Sequence, residues 1–113
     1  MLFHKICTSQ NRFTTMIKRI VKLTFRPEET ENFIQIFKES KEKIRARQGC
    51  RYLELLRGKR DPNIFFTYSF WDSEDDLNAY RHSELFKATW AKTKALFAAK
   101  PEAWSTDSLE ILE

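Results

Sequence analysis

The sequence predicts an α+β domain with the element order β-α-β-β-α-β. Three observations indicate this class: four short strand-like segments rich in apolar residues, two amphipathic helical stretches between them, and a length of 113 residues, 42% of them hydrophobic, that suits one domain with one core. The presence of only 2 glycines and 3 prolines argues against a disordered or linker-rich chain.

Residues 1–15 are expected to form an extension outside the core domain, which spans 16–113. The extension has no acidic residue and no apolar run long enough for a signal peptide or a membrane span. Two origins of this extension remain open: translation that begins upstream of a natural start at Met16, or a weak transit peptide. Because Cys7 and Cys50 lack disulfide and zinc-site spacing and no secretory pattern occurs, we expect a cytoplasmic protein.

The net charge of +4 comes from one end of the chain. Residues 1–27 contain six basic and no acidic residues, a charge of +6, whereas the remainder has 14 basic and 16 acidic residues, a charge of −2. A nucleic-acid surface needs basic residues gathered on one face of the domain. We therefore expect neither nucleic acid nor a membrane as a partner.

The first strand is predicted at residues 16–25 and the first helix at 27–48. Pro27 suits the first position of a helix, the acidic residues after it suit the positive end of the helix dipole, and Gly49 suits its end. The helix has one apolar stripe, typical of packing against a core, formed by Phe33, Ile34, Ile36, Phe37 and Ile44.

A hairpin with strands at 50–57 and 64–71 is predicted next. The turn between them contains Asp61-Pro62-Asn63, in which proline fixes φ and the Asp and Asn side chains bond to the local backbone. A strand that is apolar on both faces must be covered on both. The 64–71 strand is of this kind, with Ile64, Phe66, Tyr68 and Phe70 on one face and Phe65 and Trp71 on the other.

The second helical block is predicted to begin directly after the hairpin. Asp72 and Ser73 are suited to cap its first turn, followed three positions later by an acidic residue as in a capping box. A break is expected near residues 82–83. A longer helix then follows at 84–99, and a fourth strand at 104–113. The order is a split β-α-β-β-α-β, ferredoxin-like arrangement, an antiparallel four-stranded sheet with the helices on one face.

Helices on one face leave the other face of the sheet uncovered. Its apolar residues would form a patch larger than a monomer usually exposes. Two copies packed face to face would bury that patch symmetrically. The sequence therefore predicts an obligate homodimer whose sheets form a closed barrel.

Three stretches, E-E-T-E-N-F, the run from Q-G-C-R-Y-L to D-D-L-N-A-Y, and S-E-L-F-K, resemble the antibiotic biosynthesis monooxygenase family of dimeric α/β barrels. The resemblance spans 16–113, and W-D-S-E-D-D-L is its most recognisable part. The family includes quinone-forming oxygenases that use no cofactor, and haem-degrading enzymes. The haem-degrading members carry Asn, Trp and His at the positions of Val21, Trp71 and Trp90. Because an indole cannot coordinate iron, haem degradation is disfavoured.

The resemblance implies a monooxygenase that acts with O₂ on a small phenol or hydroquinone, without metal or flavin. Trp71 would shape the pocket and donate a hydrogen bond to a substrate oxygen, Tyr80 would bind substrate or relay a proton, and His82 is the possible base. The expected substrate-binding residues are Phe66, Tyr68, Phe86 and Trp90.

An alternative remains open, a catalytically inactive dimeric barrel that binds a small hydrophobic ligand. Other family members carry histidines at the positions of Tyr80 and Leu85, and the loss of both favours this alternative. An aromatic cavity would favour the enzyme, whereas a barrel filled by Phe65, Phe66 and Trp90 would favour the binding module.

Overall fold

The sheet is built from four antiparallel strands in the spatial order β2-β3-β1-β4. The computed structural model describes residues 16–113, so the predicted extension lies outside the described residues. The elements are β1 (Ile17–Thr24), a short 3₁₀ helix (Pro27–Glu29), α1 (Thr30–Arg45), β2 (Cys50–Arg57), β3 (Ile64–Trp71), α2 (Glu74–Arg81), α3 (Glu84–Lys94) and β4 (Glu102–Asp107).

The predicted fold class is confirmed, and both strands of the hairpin have the predicted bounds. The helical block also breaks where expected, because two serines each cap a helix. Ser73 Oγ accepts a hydrogen bond from Asp76 N over 3.1 Å at the start of α2. Ser83 Oγ accepts one from Phe86 N over 3.1 Å at the start of α3. Each cap satisfies a backbone N–H group in the first turn of its helix and thereby sets where the helix begins.

The predicted bounds of the last helix and of the fourth strand were wrong. The last helix ends at Lys94 rather than near residue 99, because the following backbone bonds to the end of β1 instead of continuing the helix: Ala98 N donates to Thr24 O over 2.9 Å. The fourth strand is Glu102–Asp107 rather than 104–113. It stops at Asp107, which pairs with Ile17, because β1 begins there and offers no further partner.

The helices all lie on one face of the sheet, where two groups of buried residues form the core. Phe25 is fully buried and stacks on Phe33 of α1, with ring centroids 4.2 Å apart. The second group, at the other end of the sheet, contains Cys50, Trp71 and Leu77. A cavity lies between the two groups and is lined by residues of both.

The opposite face of the sheet is not covered by any element of residues 16–113. Tyr52 and Phe70 stack there with centroids 4.6 Å apart, and Tyr68 packs edge-on against both rings. Tyr52, Leu56 and Trp104 are 39%, 41% and 46% exposed. One sheet does not close on itself, so the expected closed barrel needs a second copy.

Candidate functional site

A cavity of about 310 Å³ lies between the sheet and the helices. Its floor is the inner face of the two central strands, β1 and β3, and its walls come from α1, α2 and α3. The lining is mostly apolar, with a few hydroxyl and guanidinium groups among aromatic rings. This composition is typical of small-molecule sites, which are concave, largely apolar and carry few polar groups.

Four aromatic side chains form a continuous wall along the cavity. Trp71 stacks on Tyr80, with centroids 5.1 Å apart and planes 20° apart. Tyr80 meets Phe86 edge-on at 5.2 Å, and Phe86 stacks on Trp90 at 5.7 Å. These are the preferred geometries of aromatic pairs, so the four rings hold one another in place. They are the sequence-predicted site residues that the fold brings together.

Trp71 presents its ring, and not a free N–H group, to the cavity. The side chain is 1% exposed, and its Nε1 donates a hydrogen bond to Ser69 Oγ over 3.0 Å. The indole donor expected to reach a substrate oxygen is therefore engaged within the strand. Ser69 accepts this bond with its oxygen and keeps its own hydrogen to donate, so the serine is the polar group next to Trp71 that a ligand can use.

Tyr80 is a hydrogen-bond donor at neutral pH and not a base. Burial, followed by the nearby Cys50 thiol, raises the pKa of Tyr80 to about 12, against a smaller opposing effect of Arg47. Desolvation disfavours the charged phenolate, so the hydroxyl keeps its proton. Tyr80 can bind a substrate oxygen or pass a proton on, and it does not abstract one.

Three further predicted site residues lie away from the cavity. His82 is exposed at the end of α2, where its Nδ1 is 2.7 Å from Asn78 O, and it does not line the cavity. Phe66 and Tyr68 occupy the opposite face of the sheet, since they alternate with the inward-facing Phe65, Thr67 and Ser69 along β3. The cavity lining, within residues 16–113, contains no imidazole.

A row of polar side chains crosses the sheet at the cavity floor. Arg19 of β1 lies opposite Ser69 of β3 on one side and Ser105 of β4 on the other. Arg19 Nη1 donates a hydrogen bond to Ser105 Oγ over 2.9 Å. Arg81, at the end of α2, lines the same cavity. Sequence reasoning missed these residues, although Arg19 interrupts the apolar inner face of β1 at the correct period of two.

The comparisons with known proteins agree with this architecture. A model of the antibiotic biosynthesis monooxygenase family matches residues 16–92. The chain belongs to the antibiotic biosynthesis monooxygenase family. The resemblance drawn from the sequence motifs is thereby confirmed. No curated protein matches the chain in sequence.

Solved structures share the fold of this antibiotic biosynthesis monooxygenase domain at low sequence identity. A Nitrosomonas europaea protein assigned by name to the same family has a TM-score of 0.81 at 18% identity, over 85% of this chain and 92% of that one. A Caulobacter crescentus protein that is also assigned by name to this family has a TM-score of 0.80 at 23% identity, over 92% of this chain and 99% of that one. A conserved Methanosarcina mazei protein has a TM-score of 0.82 at 18% identity, over 86% of this chain and 96% of that one. At these identities the likeness shows the fold alone.

The described part of the family domain has neither a metal-binding cluster nor a membrane-spanning helix. Within residues 16–113 no group of three His, Cys, Asp or Glu side chains is arranged to hold a metal ion. None of the helices in that range is long and apolar enough to cross a membrane.

The raised pKa of Tyr80 predicts a loss of stability in alkali. The unfolded tyrosine ionises near pH 10.0 and the folded one near pH 12. Below pH 10 both states keep the proton; between these values the unfolded state releases its proton first, so the free energy of unfolding falls by about 2–3 kcal/mol in total. Urea denaturation of wild type and Tyr80→Phe across this range measures the difference. Equal pH dependence of the two proteins would contradict the assignment.

Proposed function

We propose that the chain oxygenates a small aromatic substrate of the phenol or hydroquinone type with O₂, without metal or flavin. The observation that supports this most directly is the cavity with its wall of four aromatic rings, in a domain of the monooxygenase family. The volume of about 310 Å³ suits a small ligand of one to three rings. The ring of the substrate would lie against Trp71 and Trp90.

The proposed reaction balances without a further reductant. An ionised phenol transfers one electron to O₂, the ring radical and superoxide join through one new C–O bond, and the O–O bond then breaks. For a phenol with a free para hydrogen, the phenol plus O₂ gives the quinone plus water. One oxygen atom becomes the new carbonyl, and the other leaves as water with the O–H and ring C–H hydrogens.

The chain contributes binding and electrostatics to this reaction. His82 is outside the cavity and Tyr80 stays protonated, so neither would take the substrate proton. The hydroxyls of Ser69 and Tyr80 can donate to a substrate oxygen, and such donors favour the ionised phenol and the superoxide formed from O₂. Substrates that already ionise close to neutral pH are therefore expected to react fastest.

A second function, binding of an aromatic ligand without chemistry, is favoured by one observation. The lining of the cavity contains no imidazole and no carboxylate within the described chain, so no ordinary general base faces the ligand. In this case the same wall would serve for recognition alone.

We also propose that two copies assemble through the uncovered sheet face. The aromatic cluster of Tyr52, Tyr68 and Phe70 lies on this face together with the exposed Leu56 and Trp104. Burying such apolar area contributes about 25 cal/mol per Å². Because the helices are on the other side, the dimer would leave the cavity of each copy intact.

Oxygen uptake with a panel of phenols and hydroquinones tests the activity. Wild type should consume O₂ with at least one member and release a quinone. Trp71→Phe, which removes the bond to Ser69 and part of the wall, should lower kcat/KM by roughly tenfold or more, in the range of losing one positioned hydrogen bond. Trp104→Phe, on the opposite face, serves as the matched control and should keep the activity.

The same panel separates the two functions. No uptake above background with any member rejects the oxygenase. Binding of panel members by calorimetry in the absence of uptake then supports the binding module.

The dimer is tested by sedimentation equilibrium. Wild type should have the mass of two chains, and Tyr68→Glu, which places a charge at the centre of the uncovered face, should shift the mass towards one chain. Ala91→Glu places the same charge on the exposed side of α3 and should remain a dimer. A monomeric wild type at micromolar concentration would reject the proposed assembly.

A further inference from the structure

Arg19 occupies an unusual place for a charged side chain. It lies on the inner face of a central strand, between the partly buried Ile17 and Val21 on the same face. The residue is half-buried, and removing part of a cation from water costs free energy unless an opposite charge or hydrogen-bond acceptors compensate. In the single chain, the side chain of Arg19 makes one hydrogen bond, to Ser105, among residues 16–113. A guanidinium has five N–H donors, so most of them are left for another partner.

No carboxylate of the described chain neutralises this end of the cavity. The ion pairs within residues 16–113 involve neither Arg19 nor Arg81. Asp107 lies on the neighbouring strand opposite Ile17 and forms no ion pair with Arg19. Within residues 16–113, the lining of the cavity contains two arginines and no acidic residue. The described lining therefore carries a net positive charge.

The two arginines also act on each other. The pKa of Arg19 is lowered, first by burial of the guanidinium and second by the charge of Arg81. Both effects disfavour the charged guanidinium in the protein without a ligand, and the negative charge of an anion between the two groups would offset them. The neighbouring Ser69 hydroxyl, held by the Trp71 N–H group, offers a further donor to the same anion.

The planar arrangement of the guanidinium donors favours a carboxylate as the bound anion. A guanidinium is planar and binds the two oxygens of a carboxylate through parallel hydrogen bonds. Beyond the polar row, the cavity is walled by the rings of Trp71, Tyr80, Phe86 and Trp90. We infer that the cavity selects an aromatic ligand with one carboxylate, which binds Arg19 and faces Arg81 while the ring lies against this wall. The inference rests on the proposed function and specifies its substrate class.

Three probes with one ring system test the inference by calorimetry: 2-naphthoate, the neutral 2-naphthamide and the cationic 2-naphthylmethylammonium. Wild type should bind the naphthoate roughly 10- to 100-fold more tightly than the amide, which corresponds to hydrogen bonds with a charged group. The cation should bind more weakly than the amide. Binding is measured in the absence of turnover.

Three variants localise the effect. Arg19→Gln should reduce naphthoate affinity to that of the amide and leave amide affinity unchanged. Arg81→Gln, an exposed position at the end of a helix, should lower naphthoate affinity without disturbing the fold. Arg60→Gln removes the same charge from the exposed hairpin turn and is the matched control, with no change expected.

Equal affinity of wild type for naphthoate and naphthamide would overturn the inference, as would no binding of the naphthoate, or an equal loss in Arg60→Gln and Arg81→Gln. These outcomes are distinct from those of the oxygen-uptake experiment. Naphthoate selectivity without oxygen uptake keeps the inference and rejects the oxygenase. Oxygen uptake with neutral phenols and no preference for the naphthoate keeps the oxygenase and rejects the inference.

Discussion

The two-sided apolar character of β3 is the constraint on which the rest of the structure depends. Phe65 and Trp71 face the helices, whereas Phe66, Tyr68 and Phe70 face the other way. The helices cover the first face and form the walls of the cavity above it. No element of the described chain covers the second face, and a second copy of the same sheet is the cover that we propose. Cavity and assembly surface are thus separated by the thickness of one sheet.

The cavity combines aromatic walls with hydrogen-bond donors, and its lining within residues 16–113 contains no imidazole or carboxylate to act as a general base. Trp71 is fixed by its bond to Ser69 and by stacking on Tyr80, and burial keeps the Tyr80 hydroxyl protonated. Such a site can orient a ring and stabilise negative charge, but it depends on the acidity of its ligand to form that charge. Arg19 and Arg81 extend the same property, since both favour an anionic ligand.

Much of the fold was predictable because its signals are local. The Asp61-Pro62-Asn63 turn located the hairpin, Ser73 indicated the start of α2, and the break near residues 82–83 indicated the start of α3. The ends of α3 and β4 depend on bonds to β1, which is distant in sequence. In the site, aromatic character identified Trp71 and Trp90 but also drew attention to Phe66 and Tyr68, although alternation puts them on the other face. The role of Arg19 depends on its neighbours in β3 and β4, which are distant in sequence, so the residues around Arg19 in the sequence do not reveal this role.

The central claim is that an aromatic ligand binds between the sheet and the helices. The chain has three tryptophans, of which Trp71 and Trp90 line the cavity and Trp104 lies on the opposite face. Titration with 2-naphthol, followed by the indole N–H signals in nitrogen-15 NMR spectra, tests the claim directly. We predict that the signals of Trp71 and Trp90 shift in a saturable manner while that of Trp104 stays. Movement of the Trp104 signal alone, or of none of the three, would contradict the account.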